Sequence, residues 1–168
     1  GVERACQERG WHLQIFDAQC DSRVETRNLA RLGDSGLRGA IIVPTCDHEN
    51  TEALFKLKLA NYPMVLVDRE IPGLNVDVVH SNHEQGARLA TEHLLSRGHR
   101  QVLMITENAD ISSISDRVRG YEHVLESHGL GPARRSIVWI DPRAASRGFR
   151  EGQRYLGAYE AAWPVLRA

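Results

Sequence analysis

The stretch Gly39-Ala40-Ile41-Ile42-Val43-Pro44 is a continuous apolar run closed by proline, and together with the two segments after it this run decides the fold. Asn50 stands ahead of a segment with Leu54, Phe55 and Leu57 at helical spacing. Pro63 then precedes a second apolar run, Met64-Val65-Leu66-Val67, which ends at Asp68-Arg69. Apolar runs without polar alternation are expected of strands covered on both faces. A strand, a helix and a strand joined this closely predict a right-handed crossover within a parallel sheet.

The same unit recurs outward in both directions. Upstream, Gly1 to Arg9 reads as a helix end stopped by Gly10, and His12 to Phe16 alternates like a strand up to Asp17. Ser22-x-x-Glu25 has the form of a capping box opening a helix that runs to about Leu32. Downstream, Pro72-Gly73 supplies a turn and Val76 to Val79 is another strand. Asn82-x-x-Gln85 caps a helix through Arg97 with Ala87, Ala90 and Leu94 on one face. Val102 to Ile105 is a strand. Ser113-x-x-Asp116 opens a helix whose Val118, Tyr121 and Leu125 share a face, and Ile137 to Ile140 is the next strand. Gly152 to Leu166 carries neither pattern cleanly, and Pro164 is expected to break any helix there.

The expected fold class is therefore α/β, with doubly wound parallel sheets in two lobes. A break near Ser81 divides residues 1–81 from residues 82–168. In such sheets a ligand sits beyond the carboxyl ends of the strands. Those ends fall at Asp17, Pro44-Thr45, Asp68-Arg69, Ser81-Asn82, Thr106-Glu107 and Asp141, a polar set suited to a cleft between lobes.

Composition narrows the function classes. With 168 residues, 42% of them hydrophobic, the chain has enough apolar material for a real core, and wholesale disorder is excluded. No apolar run approaches the roughly 18 residues of a membrane span. A formal net charge of -1 argues against this stretch binding nucleic acid by itself. Cys6, Cys20 and Cys46 form an odd set with no CxxC, which favours reduced thiols in a cytoplasmic protein over a disulfide framework.

Several of these stretches in order carry a resemblance. Val67-Asp68-Arg69, the run from Ser81-Asn82 through Gly86 to Leu94, Gly98-His99-Arg100, and Ser112 through Arg117 to Gly120-Tyr121 together resemble the effector-binding core of lac-repressor-like (LacI/GalR) regulators. Gly39 to Pro44 sits where that family has its third strand. The likeness covers about residues 1 to 150 and weakens over 155–168. It implies two doubly wound lobes similar to periplasmic sugar-binding proteins. A small effector would close them and alter the affinity of an N-terminal helix-turn-helix for its operator. It places that headpiece, a hinge helix and a central strand ahead of Gly1, and much of the second lobe after Ala168. The chain is thus expected to be incomplete at both ends, to fold poorly by itself, and not to bind an operator.

The resemblance also assigns candidate residues. Arg117 and Ser113 match effector contacts of the family. A guanidinium forks into several donors that can hold ring hydroxyls or a carboxylate, and a capped helix N-terminus beside it would favour accepting groups. Arg117 is expected in the first turn of that helix, with pairing to Asp116 or Glu122 as its structural alternative. Asp68 ends a strand where the family uses a ligand contact. Thr45 lies at the neighbouring strand end. Ser81 departs from the pattern, since many relatives carry aspartate there. Arg143 departs too, falling near where sugar and purine responders often place a stacking aromatic. Arg69, Arg117 and Arg143 would together line a cleft suited to an anionic effector, a sugar phosphate or a sugar acid. Asn82 is read as a helix cap.

Other chemistries find less support. His80 and His83 form an HxxH pair, but they straddle the Asn82 cap and lack a supporting acidic or thiol ligand, so no metal site is expected. No GxSxG, GxGxxG or Walker loop occurs, and no cofactor or enzymatic activity is expected. The expectation is a cytoplasmic, ligand-responsive transcriptional regulator that forms a homodimer and has no membrane association. The chain would be part of its region for sensing a sugar or sugar derivative and for dimerisation. The alternative is a periplasmic sugar-binding receptor of the same fold.

Overall fold

The computed structural model describes residues 1–45, 49–108, 110–131, 135–141 and 156–167. In chain order these form α1 (Val2–Gln7), α2 (Ser22–Leu32), β1 (Ala40–Ile42), α3 (Thr51–Leu59), β2 (Met64–Val67), β3 (Asp77–Val79), α4 (His83–Ser96), β4 (Val102–Glu107), α5 (Ser112–Ser127), β5 (Arg135–Ile140) and α6 (Leu156–Arg167). Two parallel sheets result, one in the order β1-β2-β3 and one pairing β4 with β5. The register runs Ile42 beside Leu66 beside Val78 in the first sheet and Met104 beside Ile137 in the second.

Each sheet has its own core. Leu29 and Leu32 of α2 and Leu54 and Leu57 of α3 close over Ile42, Met64 and Leu66, with Ile71 and Leu74 completing the cluster. Leu95 of α4 and Tyr121, Val124 and Leu125 of α5 close over Val102. The Tyr121 hydroxyl donates to the Val102 carbonyl at 2.7 Å and accepts from the Ser136 amide at 3.1 Å, so one side chain ties both strands of the second sheet.

Several local expectations are corrected. Ile42 is buried, but Ile41 and Val43 are exposed, so β1 is covered on one face among the described residues. Residues 12–16 keep their alternation but form no strand, because no described backbone lies alongside to make a ladder; only Phe16 packs onto the first core. Asp21, not Ser22, caps α2, its carboxylate accepting from the Arg23 and Val24 amides, and this frees Glu25 to turn inward. The buried residues of α4 are His83, Thr91 and Leu95, one step round from the face expected, because α5 approaches closely at Gly120, against Glu84 and Ala87. Asn82 does cap that helix, accepting from the Gln85 amide at 2.9 Å.

Ser113 does not cap α5. The helix is entered from Ile111, an extended and buried residue whose carbonyl accepts from Ile114 and Ser115, so Ser113 lies inside the first turn. Arg117 therefore falls two residues further in than expected, in the second turn and not the first. Pro164 lies inside α6 and does not end it: proline forfeits one backbone bond, and the helix is held by packing on β4 and β5 with Ala162 buried.

Candidate functional site

The carboxyl end of β2 turns sharply at Asp68, whose φ of +70° puts it in the left-handed region. Aspartate tolerates that region better than most side chains, and such strain gathers where function demands it. The Asp68 amide still donates to the Val79 carbonyl at 3.0 Å, so the strain sits within an anchored strand end. Its carboxylate remains 41% exposed and reaches His83, with His83 Nε2 3.2 Å from Asp68 Oδ1. On the other side of that imidazole, Arg117 Nη2 donates to His83 Nδ1 at 3.1 Å. Asp68, His83 and Arg117 thus form one chain from the first sheet to α5, with a buried histidine at its middle.

A second link runs beside it. The Glu70 amide donates to Ser112 Oγ at 3.0 Å, and Glu70 Oε1 lies 3.2 Å from His80 Nε2. The His80 and His83 rings stack with centroids 6.2 Å apart and planes 16° from parallel. Ser113, next to Ser112, is buried at 2% exposure, whereas Ser81 stands exposed beside His80.

Behind Asp68 the end of β1 is fixed from within. Glu25, 4% exposed, accepts from the Thr45 amide at 3.0 Å and the Thr45 hydroxyl at 2.6 Å, and also from Asn50 Nδ2. Asn50 therefore serves this carboxylate and makes no side-chain cap on α3. Arg69 Nη1 donates to the Pro44 carbonyl at 2.8 Å and to the Thr45 carbonyl. Arg69 Nε lies 3.9 Å from Asp68 Oδ2, too far for a hydrogen bond, and it is buried without a partner among the described residues.

The structure joins Asp68 to Arg117, lays Thr45 behind them through Arg69, and brings Ser112-Ser113 to the same junction. Arg69 faces backbone carbonyls and leaves the cluster of three arginines expected for an anionic ligand, while Arg143 lies outside the described residues. Asp116 pairs with Arg119, which also holds Glu84 at 2.8 Å, while Arg117 turns to His83. Sequence reasoning gave His83 and Glu25 other roles, a rejected metal pair and a capping box. The signal for His83 was its place four residues before Ala87 on a face continuing to Thr91 and Leu95; an HxxH reading looked only for metal. Among the described residues no group of three or more His, Cys, Asp or Glu side chains could hold a metal ion. None of their helices is long and apolar enough to cross a membrane. A separate concavity of about 770 Å³, lined by Arg88, Leu89, Glu92 and His123 among others, includes none of Asp68, Ser113 or Arg117.

Parallel sheets whose strand ends and helix starts converge on polar side chains define a class of small-molecule-binding α/β proteins. Residues 1–143 match the family of periplasmic binding proteins and the sugar binding domain of the LacI family, and the chain belongs to it. It is 35% identical over 122 residues to the HTH-type transcriptional regulator PtxS of Pseudomonas putida, covering 72% of this chain and 35% of that protein. It is 28% identical over 130 residues to the ribose operon repressor of Escherichia coli, covering 77% of this chain and 39% of the repressor. The chain thus spans little more than a third of the curated relatives it matches. In fold it is similar to a probable LacI family transcriptional regulator from Corynebacterium glutamicum, with TM-score 0.74 at 21% identity over 98% of this chain and 68% of that one. It is also similar to the Caulobacter myo-inositol binding protein, with TM-score 0.72 at 21% identity over 97% of this chain and 63% of that one.

Proposed function

We propose that this chain is part of the effector-sensing and dimerisation region of a ligand-responsive, cytoplasmic transcriptional regulator. Residues 1–81 and 82–168 form its two lobes. The effector is a sugar or sugar derivative, held by Asp68 from the first lobe and by Ser113 and Arg117 from the second, with Thr45, Ser81 and Arg143 bordering them. The observation that carries this reading is the link from Asp68 through His83 to Arg117, which places an acceptor and a forked donor on opposite sides of one junction. Hydroxyl groups that both donate and accept match such a pair.

Closure by the effector adds contacts that the open state lacks, and that differential affinity shifts the equilibrium. Coupling of this kind is typically about 1–3 kcal/mol. In a homodimer the lobe movement would change the spacing of the headpieces on operator DNA. With Arg69 directed at carbonyls, Arg117 is the remaining described cation of the three expected, which favours a neutral polyol over a sugar phosphate or sugar acid. The likeness in fold to the myo-inositol binding protein keeps a periplasmic sugar receptor as the second reading.

The test is calorimetric titration of the full-length gene product with D-ribose, D-ribose 5-phosphate and D-gluconate, followed by gel shift on DNA upstream of its own gene. Binding of a sugar that alters the DNA complex is the expected result. Sugar binding with no DNA affinity, together with a secretion signal ahead of Gly1, would assign the receptor. Binding of none of the three would overturn both readings, and tighter binding of the phosphate than of ribose would restore the anionic effector.

A further inference from the structure

We infer that His83 is a positioning residue for the effector site: with its proton on Nε2, the imidazole donates to Asp68 and accepts from Arg117, holding the two together. The consequence for effector binding rests on the function proposed above; the geometry of the imidazole does not.

The tautomer is set by the neighbours. A guanidinium has donors only, so His83 Nδ1, 3.1 Å from Arg117 Nη2, must accept. The ring proton then lies on Nε2, shared between Asp68 Oδ1 at 3.2 Å and the Asp68 carbonyl at 3.3 Å. Two acceptors on one residue engaged by one N–H hold Asp68 in its left-handed conformation as well as aiming its carboxylate. The His83 side chain is only 7% exposed, so water is poorly placed to replace either bond.

The charged groups facing this ring come from every element packed on it. Asp68 lies beyond β2, with Arg69 3.9 Å from its carboxylate; Arg117 comes from α5; and His80 stacks on the ring from the segment before α4. His80 has the opposite surroundings, its Nδ1 2.9 Å from the Ser81 carbonyl and its Nε2 3.2 Å from the Glu70 carboxylate, both acceptors. The stacked pair therefore differs in its partners: the outer ring lies between two acceptors, the inner one between an acceptor and a donor. A proton on His83 Nδ1 would face the N–H of Arg117 and add a cation beside two others, with Asp68 alone opposing.

The experiment uses the full-length protein labelled with ¹⁵N-histidine and ¹⁵N-arginine, in which ring tautomer and guanidinium hydrogen bonding are read directly. The expected spectrum shows His83 as the Nε2–H tautomer and the Arg117 guanidinium hydrogen-bonded to it. His83→Gln keeps a donor for Asp68 and an acceptor for Arg117, so the Arg117 signal should stay close to that of the wild type. His83→Leu removes both bonds and should move the Arg117 signal to that of a guanidinium without this acceptor. An Nδ1–H tautomer in the wild type, or an Arg117 signal unchanged in His83→Leu, overturns the inference.

A second arm titrates the wild type, His83→Gln and His83→Leu with the tightest binder of D-ribose, D-ribose 5-phosphate and D-gluconate. Losing hydrogen bonds to charged groups predicts roughly tenfold weaker binding by His83→Leu, and less than about threefold change in His83→Gln. Equal weakening in the two folded variants contradicts a positioning role. If no sugar binds, the effector reading fails, while the spectra still decide the placement of Asp68 and Arg117.

Discussion

Gly120 of α5 lies so close to Glu84 of α4 that a Cβ added to it would sit 2.3 Å from the Glu84 carbonyl oxygen and 3.1 Å from the Ala87 Cβ. This approach lets the two helices share a core and brings the start of α4, with His83, up to Arg117.

Gly120→Ala sets two effects against each other. Alanine favours a helix over glycine by about 1 kcal/mol, but the clash is with backbone, and overpacking of this kind costs about 1–3 kcal/mol or more. The clash wins, and urea denaturation should show a lower midpoint. Gly86, in α4 with nothing within 4 Å of its added Cβ, gives the control. Gly86→Ala should raise the midpoint, by about 0.5–1 kcal/mol in stability.

Glu25 is buried with a filled set of donors, and removing it strands the Thr45 amide, the Thr45 hydroxyl and Asn50. A buried polar group left unsatisfied costs about 1–3 kcal/mol. Glu25→Ala should therefore destabilise by about 2–4 kcal/mol in chemical denaturation and speed amide hydrogen exchange at Thr45. Unchanged exchange there would show that Glu25 does not hold the end of β1.

Tyr121→Phe leaves the ring in the second core but removes the hydroxyl that serves Val102 and Ser136. Stability should fall by about 1–3 kcal/mol with the denaturant slope unchanged. A loss confined to tenths of a kcal/mol would mean that the two strands need no such tie.

The hydrogen bond from Arg119 holds the Glu84 carboxyl below its ordinary value near 4.5. A carboxylate depressed in the folded state contributes stability above its ordinary pKa and loses it as pH falls through the lowered one. Acid unfolding followed from pH 5 downward should therefore be shallower in Glu84→Gln than in the wild type. Because the group is exposed, only the slope of that limb is expected to change.

The alternation of strands and helices was legible because β2, β4 and β5 are short apolar runs and the intervening segments carry apolar residues at helical spacing. Asn82 was legible as a cap because one side chain and one amide decide it locally. The misreadings share a physical origin in tertiary contacts. Asp21 and Ser22 are both good caps, and only the pull of Thr45 and Asn50 on Glu25 decides between them. His12 to Phe16 has the period of a strand, but a strand exists only beside a partner. Pro164 weakens a helix by an amount that packing on β4 and β5 offsets. Asp68 and Arg117 were proposed by resemblance to a family pattern, whereas His83 joins them only after the sheets and α5 converge.

The most direct test of the account compares the full-length wild type with Arg117→Ala and Asp68→Asn in calorimetric titration with whichever of D-ribose, D-ribose 5-phosphate and D-gluconate the wild type binds. Loss of a hydrogen bond to a charged group predicts roughly tenfold or greater weakening in each variant, with folding preserved by circular dichroism. Folded variants that bind the same sugar as tightly as the wild type would contradict the site.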